Sequence, residues 1–381
     1  MKVKLSDVFT LQMGKTPSRK NRAYWEGTHK WISIADLGNA TRIIYTTKEA
    51  ITDVGVSASG IKVVPAGTVV MSFKLSIGKT AITAEDMYTN EAIMAFIDKK
   101  KYPLDTGFFY HLCSGTDWSA GTNKAVMGLT LNKATLSEFE ISLPDLSTQK
   151  EIAQKLDKID ETIALYKLEL DSLNELVKSR FIELFGDPRS NPNNYDKKRL
   201  GDTCNVITGN TPSRSVDAYY GDYIEWIKTD NIVAGRLNPS FATEKLSEEG
   251  MSVGRIVDEN AILMVCIAGS IASIGRVCIT DRKVTFNQQI NAIEPQNYDV
   301  IFLYVLLQIS KEYLVEDINM ALKGILSKSR LQDKEFIVPP IEDQRVFAAF
   351  VAQTDKSKLA VQENLQELET LKKSLMQEYF G

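Results

Sequence analysis

A chain of 381 residues, 44% hydrophobic and 25% charged, has the make-up of a folded protein of two or three domains. The stretch from Met1 to Leu11 lacks the apolar core of a signal peptide, and the longest apolar run, Ala261 to Ala268, is far short of the ~20 residues that a membrane span needs, so a cytoplasmic protein is expected. A net charge of −4 excludes a uniformly basic nucleic-acid binder: residues 1–143 carry 17 basic and 13 acidic side chains and residues 200–338 carry 13 and 18, so any footprint for phosphate is local.

Residues 1–143 read as a mixed, strand-rich domain. Gly14 to Arg19 spells GxTPSR, in which glycine and proline shape an exposed loop, and Lys20, Arg22, Tyr24 and Trp25 follow it. Trp31 to Ile34 and Lys62 to Phe73 are β-prone runs, Phe108 to Cys113 has a helical pattern, and a short strand, Glu140 to Leu143, runs into Pro144. From there to Gly186 the side chains Ile152, Leu156, Ile159, Ile163, Tyr166, Leu170, Leu173 and Val177 recur in alternating steps of four and three. Such a heptad seam predicts one long helix turned toward a partner helix. Thr148 with Glu151 suggests a capping box at its start, and Phe185-Gly186-Asp187-Pro188 a stop. Residues 187–199, rich in Asp, Pro, Ser and Asn, read as an ordered connector.

The pattern then starts again. Leu5, Gly14, Thr16, Pro17, Ser18, Arg19, Tyr24, Trp31 and Ile32 return at Leu200, Gly209, Thr211, Pro212, Ser213, Arg214, Tyr219, Trp226 and Ile227, a constant offset, and Pro144, Gln149, Leu173 and Phe185 return at Pro339, Gln344, Leu368 and Phe380. Residues 200–338 are therefore a second copy of the domain, with strands over Glu259 to Ile267, Arg276 to Thr280 and Glu335 to Val338 and a helix over Ile301 to Ile309. Residues 339–381 form a second long helix, whose seam of Phe347, Val351, Val361, Leu365 and Leu368 is interrupted by Thr354, Lys358 and Lys372. The connector reaches at most ~43 Å at ~3.3 Å per residue, less than the length of the first helix, so the second helix has to run back. The expected fold is α+β: two similar strand-rich α/β domains joined by a pair of long antiparallel helices, as a pseudo-twofold internal repeat.

Donors clustered near glycine and proline suit phosphates and base edges. On that ground Thr16, Ser18, Arg19, Lys20 and Arg22, with Thr211, Ser213 and Arg214 in the second copy, are candidate DNA contacts. Asn123 and Lys124, and Lys323, Lys328 and Arg330, come from a later loop in each domain, and Lys79 and Arg276 follow matched glycines. An ordinary solvated loop is the alternative for each. Asn287-Gln288-Gln289 could pair with adenine or form a buried polar network. The four cysteines have no metal or disulfide spacing and read as buried thiols, the two histidines fit neither a metal nor a nuclease spacing, and no phosphate-binding glycine loop is complete. No catalytic or metal residue is singled out.

The order of these features over nearly the whole chain resembles the specificity subunits of type I restriction-modification systems: a GxTPSR domain, Leu143-Pro144 to Gln149 entering a long helix, Phe185-Gly186-Asp187-Pro188 with Asn191-Pro192, then domain and helix again. The resemblance implies a non-catalytic subunit whose two target recognition domains each read half of a bipartite site in double-stranded DNA. It also implies that the helices dock two methyltransferase subunits, which use S-adenosylmethionine, and that restriction subunits with ATP-dependent activity join them. The chain itself is then expected to hold no cofactor. The alternative is a coiled-coil scaffold that does not bind DNA, which would leave the paired loops unexplained.

Overall fold

A computed structural model describes every residue except 75, 119–122, 126–127 and 319–323, and only the backbone of 123–125 and 128–130. The chain forms two compact units, Met1–Leu165 with Leu365–Gly381, and Tyr166–Asn364. Each contains one strand-rich domain and parts of both long helices.

In the first unit, a five-stranded sheet has the order Phe9–Met13, Ile93–Asp98, Val69–Ser72, Thr80–Thr83 and Ile43–Ile44. Its central strand is buried on both faces, which is why Val69, Val70 and Met71 form an unbroken apolar run instead of an alternation. A smaller sheet sets Trp25–Ile32 between Glu49–Ile51 and Tyr88–Thr89. The helix Thr106–Gly115 covers the large sheet, and Phe108, Phe109, Leu112 and Cys113 join Phe9, Phe96 and Met94 in the core.

The second unit repeats this plan with Cys204–Thr208, Ile290–Pro295, Ile262–Val265 and Val277–Ile279 in one sheet, and Lys245–Leu246, Tyr220–Ile227, Val284–Phe286 and Ile256–Val257 in the other. The helix Val300–Ile309 takes the covering position, with Phe302, Leu303, Val305, Leu306 and Leu307 all buried.

Three expected strands need correction. Lys62 to Phe73 is not one strand: Pro65 lacks a donor and Gly67 has φ +71°, so the chain turns, Val64 makes only an isolated bridge to Met87, and pairing starts at Val69. Trp31 to Ile34 ends early, because Ser33 and Asp36 form a capping box and Ile34 is already helical. Glu259 to Ile267 likewise splits, Ile262–Val265 staying in the large sheet while Ile267–Ala268 pairs with Gly324–Ile325.

The long helices run Leu146–Phe185 and Ile341–Phe380. The first is not capped by Thr148. Asp145 does this, accepting from Thr148 N at 3.0 Å and Thr148 Oγ1 at 2.7 Å, and these bonds hold its carboxyl below the ordinary value. At the other end Gly186 adopts φ +72° beneath the Pro192 ring, and the Asn191 side chain closes the connector by bonding both the N–H and the carbonyl of Tyr195. Leu156, Ile163, Phe347 and Val351 of the seams are buried, and Ile152, Ile159, Leu170, Leu173, Leu365 and Leu368 are half-buried. The interrupting residues are satisfied: Thr354 Oγ1 donates to Phe350 O at 3.0 Å, Lys358 pairs with Asp355 at 3.2 Å, and Lys372 reaches Asp160 on the other helix at 2.5 Å.

That last pair sets direction. In the first unit the early part of one helix meets the late part of the other. In the second unit Val177, Phe181 and Phe185, late in the first helix, share a core with Phe347 and Val351, early in the second. The helices are antiparallel. Their entries are also alike: buried Gln149 accepts from Asp105 N at 2.9 Å and donates to Pro103 O and Pro144 O, and buried Gln344 accepts from Asp299 N at 2.9 Å and donates to Pro339 O. Each glutamine ties the start of a long helix to the loop before its domain's covering helix.

On the first covering helix, His111 is 1% exposed, with Nε2 2.6 Å from Asp157 Oδ1, the oxygen that Arg42 also meets at 2.6 Å. Burial pushes the imidazole below its ordinary value, against the opposite pull of Asp157, whose charge Arg42 already meets. A depressed folded value means that unfolded His111 binds a proton which the folded form does not, so stability is full above ~6.5 and falls as pH drops below it. We expect the midpoint of thermal unfolding to fall more steeply from pH 7 to pH 5.5 in the native chain than in His111→Gln. Parallel pH profiles would count against a neutral buried imidazole.

Candidate nucleic-acid interface

The GxTPSR loop leaves the large sheet and crosses to the small one. Gly14 N donates to Ile93 O at 3.2 Å and Lys15 N to Thr89 O at 2.9 Å, so close that a Cβ on Gly14 would fall 2.1 Å from Thr89 O. Gly209 is as confined, a Cβ there falling 2.1 Å from Asn287 O. Trp31 Nε1 donates to Lys15 O at 3.0 Å and Trp226 Nε1 to Asn210 O at 3.2 Å. In both units an indole therefore fixes the path of the loop.

The arginines complete this frame. The guanidinium of Arg19 lies 3.8 Å from the Trp25 ring centre and forms a two-pronged pair with Glu49, Nη2 to Oε2 being 2.8 Å. Arg214 lies 4.5 Å over Tyr220 and pairs with Glu244, which Lys228 also meets at 2.6 Å. The hydrogen bonds from the arginines hold both carboxyls below their ordinary values. Thr16 donates to Glu91 and Thr211 to Gln288, while Ser213 Oγ lies 2.8 Å from Ser215 Oγ. So the donors that the sequence offers to DNA are largely engaged within their own domain, and Arg19 and Arg214 act as braces. Ser18, Lys20 and Arg22 stay exposed, and Lys20 and Arg22 have no ion pair among the described residues.

The second turn is structural. Asn90 Oδ1 accepts from Ala92 N at 3.0 Å, Asn287 Oδ1 from Gln289 N at 3.1 Å, and Gln289 Nε2 points to Ile267 O. Of the two readings of Asn287 and Gln289, the polar network is the one the geometry supports.

A model of the type I restriction modification DNA specificity domain matches residues 1–175 and 192–371. The chain belongs to this family. The specificity subunit of the type I restriction enzyme MjaIX from Methanocaldococcus jannaschii is 27% identical to it over 366 residues, covering 88% of this chain and 82% of that relative. The HindI specificity subunit from Haemophilus influenzae is 28% identical over 183 residues, 45% of this chain and 38% of the relative. The S subunit of a type I restriction-modification system from M. genitalium shares the fold, with a TM-score of 0.60 at 15% identity, 100% of this chain and 96% of that one being covered. This specificity subunit is thus a DNA-recognition component and not an enzyme.

Within the subunit, the other candidate contacts are dispersed. Lys328 and Arg330 are exposed on the helix Lys328–Asp333, which Ser327 caps and which packs on Leu200–Thr203, at the far end of the strand from Gly209. Arg276 is half-buried, its Nε donating to Ser273 O at 3.3 Å, and Lys79 is exposed with Nζ beside Gly38. Asn123 and Lys124 lie in the strand Asn123–Ala125, and their side chains, like Lys323, are outside the described residues. Glu49 and Glu244 were not singled out, although a signal existed: both follow their arginine by 30 positions. Among the described residues no helix is long and apolar enough to cross a membrane, and no His, Cys, Asp or Glu cluster could hold a metal ion.

Proposed function

We propose that the subunit reads a bipartite duplex, one half-site per domain, inside a complex in which two methyltransferase subunits dock on the long helices. Those partners would bind S-adenosylmethionine, and restriction subunits joining through them would use ATP. The observation that carries this reading is the repeated loop frame, Arg19 with Glu49, Trp25 and Trp31 in one unit and Arg214 with Glu244, Tyr220 and Trp226 in the other. The same device built twice in one chain suits two separate readings of DNA.

Charge argues for partners. A net −4, with an acidic second domain, opposes a ligand whose affinity comes mostly from phosphate neutralisation. Selection from random-sequence DNA should yield a two-part site with a fixed gap when methyltransferase is present, and only weak binding, micromolar or poorer, by the chain alone at physiological salt. Nanomolar, sequence-specific binding by the chain alone would defeat the second expectation, and selection of a single undivided site would defeat the first.

A further inference from the structure

Among the described residues three large rings are unusually exposed, Tyr45 at 64%, Tyr223 at 61% and Phe241 at 82%; Tyr223 belongs to the strand Tyr220–Ile227, and the other two lie in loops outside those described above. These two lie in corresponding loops, one residue out of register, since the repeat offset sets Ser240 opposite Tyr45. Each lies in the loop leading to the segment that pairs with the small sheet's long strand, where Trp31 is opposite Glu49 and Trp226 N donates to Glu244 O at 3.1 Å. Tyr45 comes four residues before Glu49 and Phe241 three before Glu244, yet the flanking residues, Ile43-Ile44 and Pro239-Ser240, do not match. A single exposed ring is ordinary, but an exposed ring in the corresponding loop of both copies, amid unlike neighbours, is not; the Phe241 ring has the Arg282 guanidinium 4.7 Å from its centre and is still 82% exposed.

Nor are these loops loose. Lys30 Nζ donates to Tyr45 O at 2.6 Å; Asn231 Nδ2 donates to Phe241 O at 3.3 Å, and Ala242 N to Glu225 Oε1 at 2.6 Å. The Arg19–Glu49 and Arg214–Glu244 braces pin the residues that follow each ring. The frame around GxTPSR thus holds an aromatic tip in place. Each loop also carries an exposed cation with no ion pair among the described residues, Lys48 in one and Arg236 in the other. A fixed apolar ring with a free cation a few residues away suits duplex DNA, the cation meeting phosphate and the ring meeting base edges in a groove.

We infer that Tyr45 and Phe241 are the apolar base contacts of the two recognition domains, with Lys48 and Arg236 on neighbouring phosphates. This rests on the half-site reading proposed above. The test uses the full chain assembled with methyltransferase and the duplex that the native complex selects. Tyr45→Ala should weaken binding about 10- to 100-fold and relax base preference in one half-site only, and Phe241→Ala should do so in the other. Tyr45→Phe and Phe241→Tyr, which keep a ring, should restore selection, and Lys48→Ala should weaken all duplexes alike and reduce the salt slope by about 1. Because both rings are exposed, the alanine variants should unfold like the native chain. If the native complex selects a site and both alanine variants bind it with unchanged affinity and preference, the inference is wrong while the half-site reading stands. Loss of methyltransferase co-purification with DNA preference intact would also overturn it, since the rings would then face protein. A native complex that selects no sequence would overturn the half-site reading and this inference together.

Discussion

Replacing Phe181 with alanine will destabilise the second unit by about 3–5 kcal/mol, the usual cost of deleting a buried phenyl ring whose surroundings cannot collapse. Phe181 is fully buried, and its ring contacts Phe302, Phe185 and Phe347, with centres 5.4 Å, 5.1 Å and 5.4 Å away. Those partners come from the covering helix, from the end of the first long helix and from the start of the second, so one cavity would loosen three elements. At ~2–4 °C per kcal/mol the unfolding midpoint of this unit should drop by about 10 °C. Ile182, the next residue, is 38% exposed, and Ile182→Ala should cost under ~1 kcal/mol. Calorimetry of both variants checks the contrast, and equal shifts would mean that the aromatic cluster does not anchor the helix.

The same anchor is visible in the first unit, where Phe380, at the end of the second long helix, meets Phe108 at 5.5 Å. Phe185 and Phe380 are matched residues, and so nearly are Phe302 and Phe108. This much was legible in the sequence, because a repeat of that length and a heptad seam depend on spacing, which survives in one dimension. What was not legible depends on pairing across distance. The break at Pro65 to Gly67 lies inside an apolar run whose composition favours a strand, and only the turn back toward Met87 shows where the strand must start. Arg19 reads as a free donor because its carboxylate, Glu49, is 30 residues away on another strand. The Asp145 cap was missed for a local reason: Thr148 with Glu151 satisfies the same pattern three residues later, and only the hydrogen bonds decide between them.

Gly14→Ala and Gly209→Ala should each disable one half-site, with a larger effect than removing any single exposed cation of the loop. A Cβ at either position falls 2.1 Å from a backbone oxygen, and the atoms it meets belong to strand ends that cannot move alone. Relief requires the loop to back away from the turn at Thr89-Asn90 or Phe286-Asn287. That would stretch the bonds from Lys15 N to Thr89 O and from Asn210 N to Phe286 O, and carry off the carbonyls that Trp31 and Trp226 hold. The strain should cost about 1–3 kcal/mol of stability in the affected unit. By contrast the exposed Arg19–Glu49 pair is worth at most ~1 kcal/mol to stability. Because the displaced loop also carries Arg19 or Arg214, the brace on the following segment should fail with it, and base preference should be lost in that half-site alone. Gly269→Ala is the control, since a Cβ there meets nothing within 4 Å. The measurement is thermal unfolding of each variant together with selection from random-sequence DNA in the assembled complex. A Gly14→Ala chain that unfolds like the native protein and selects both half-sites unchanged would show that the loop has room the structure does not give it.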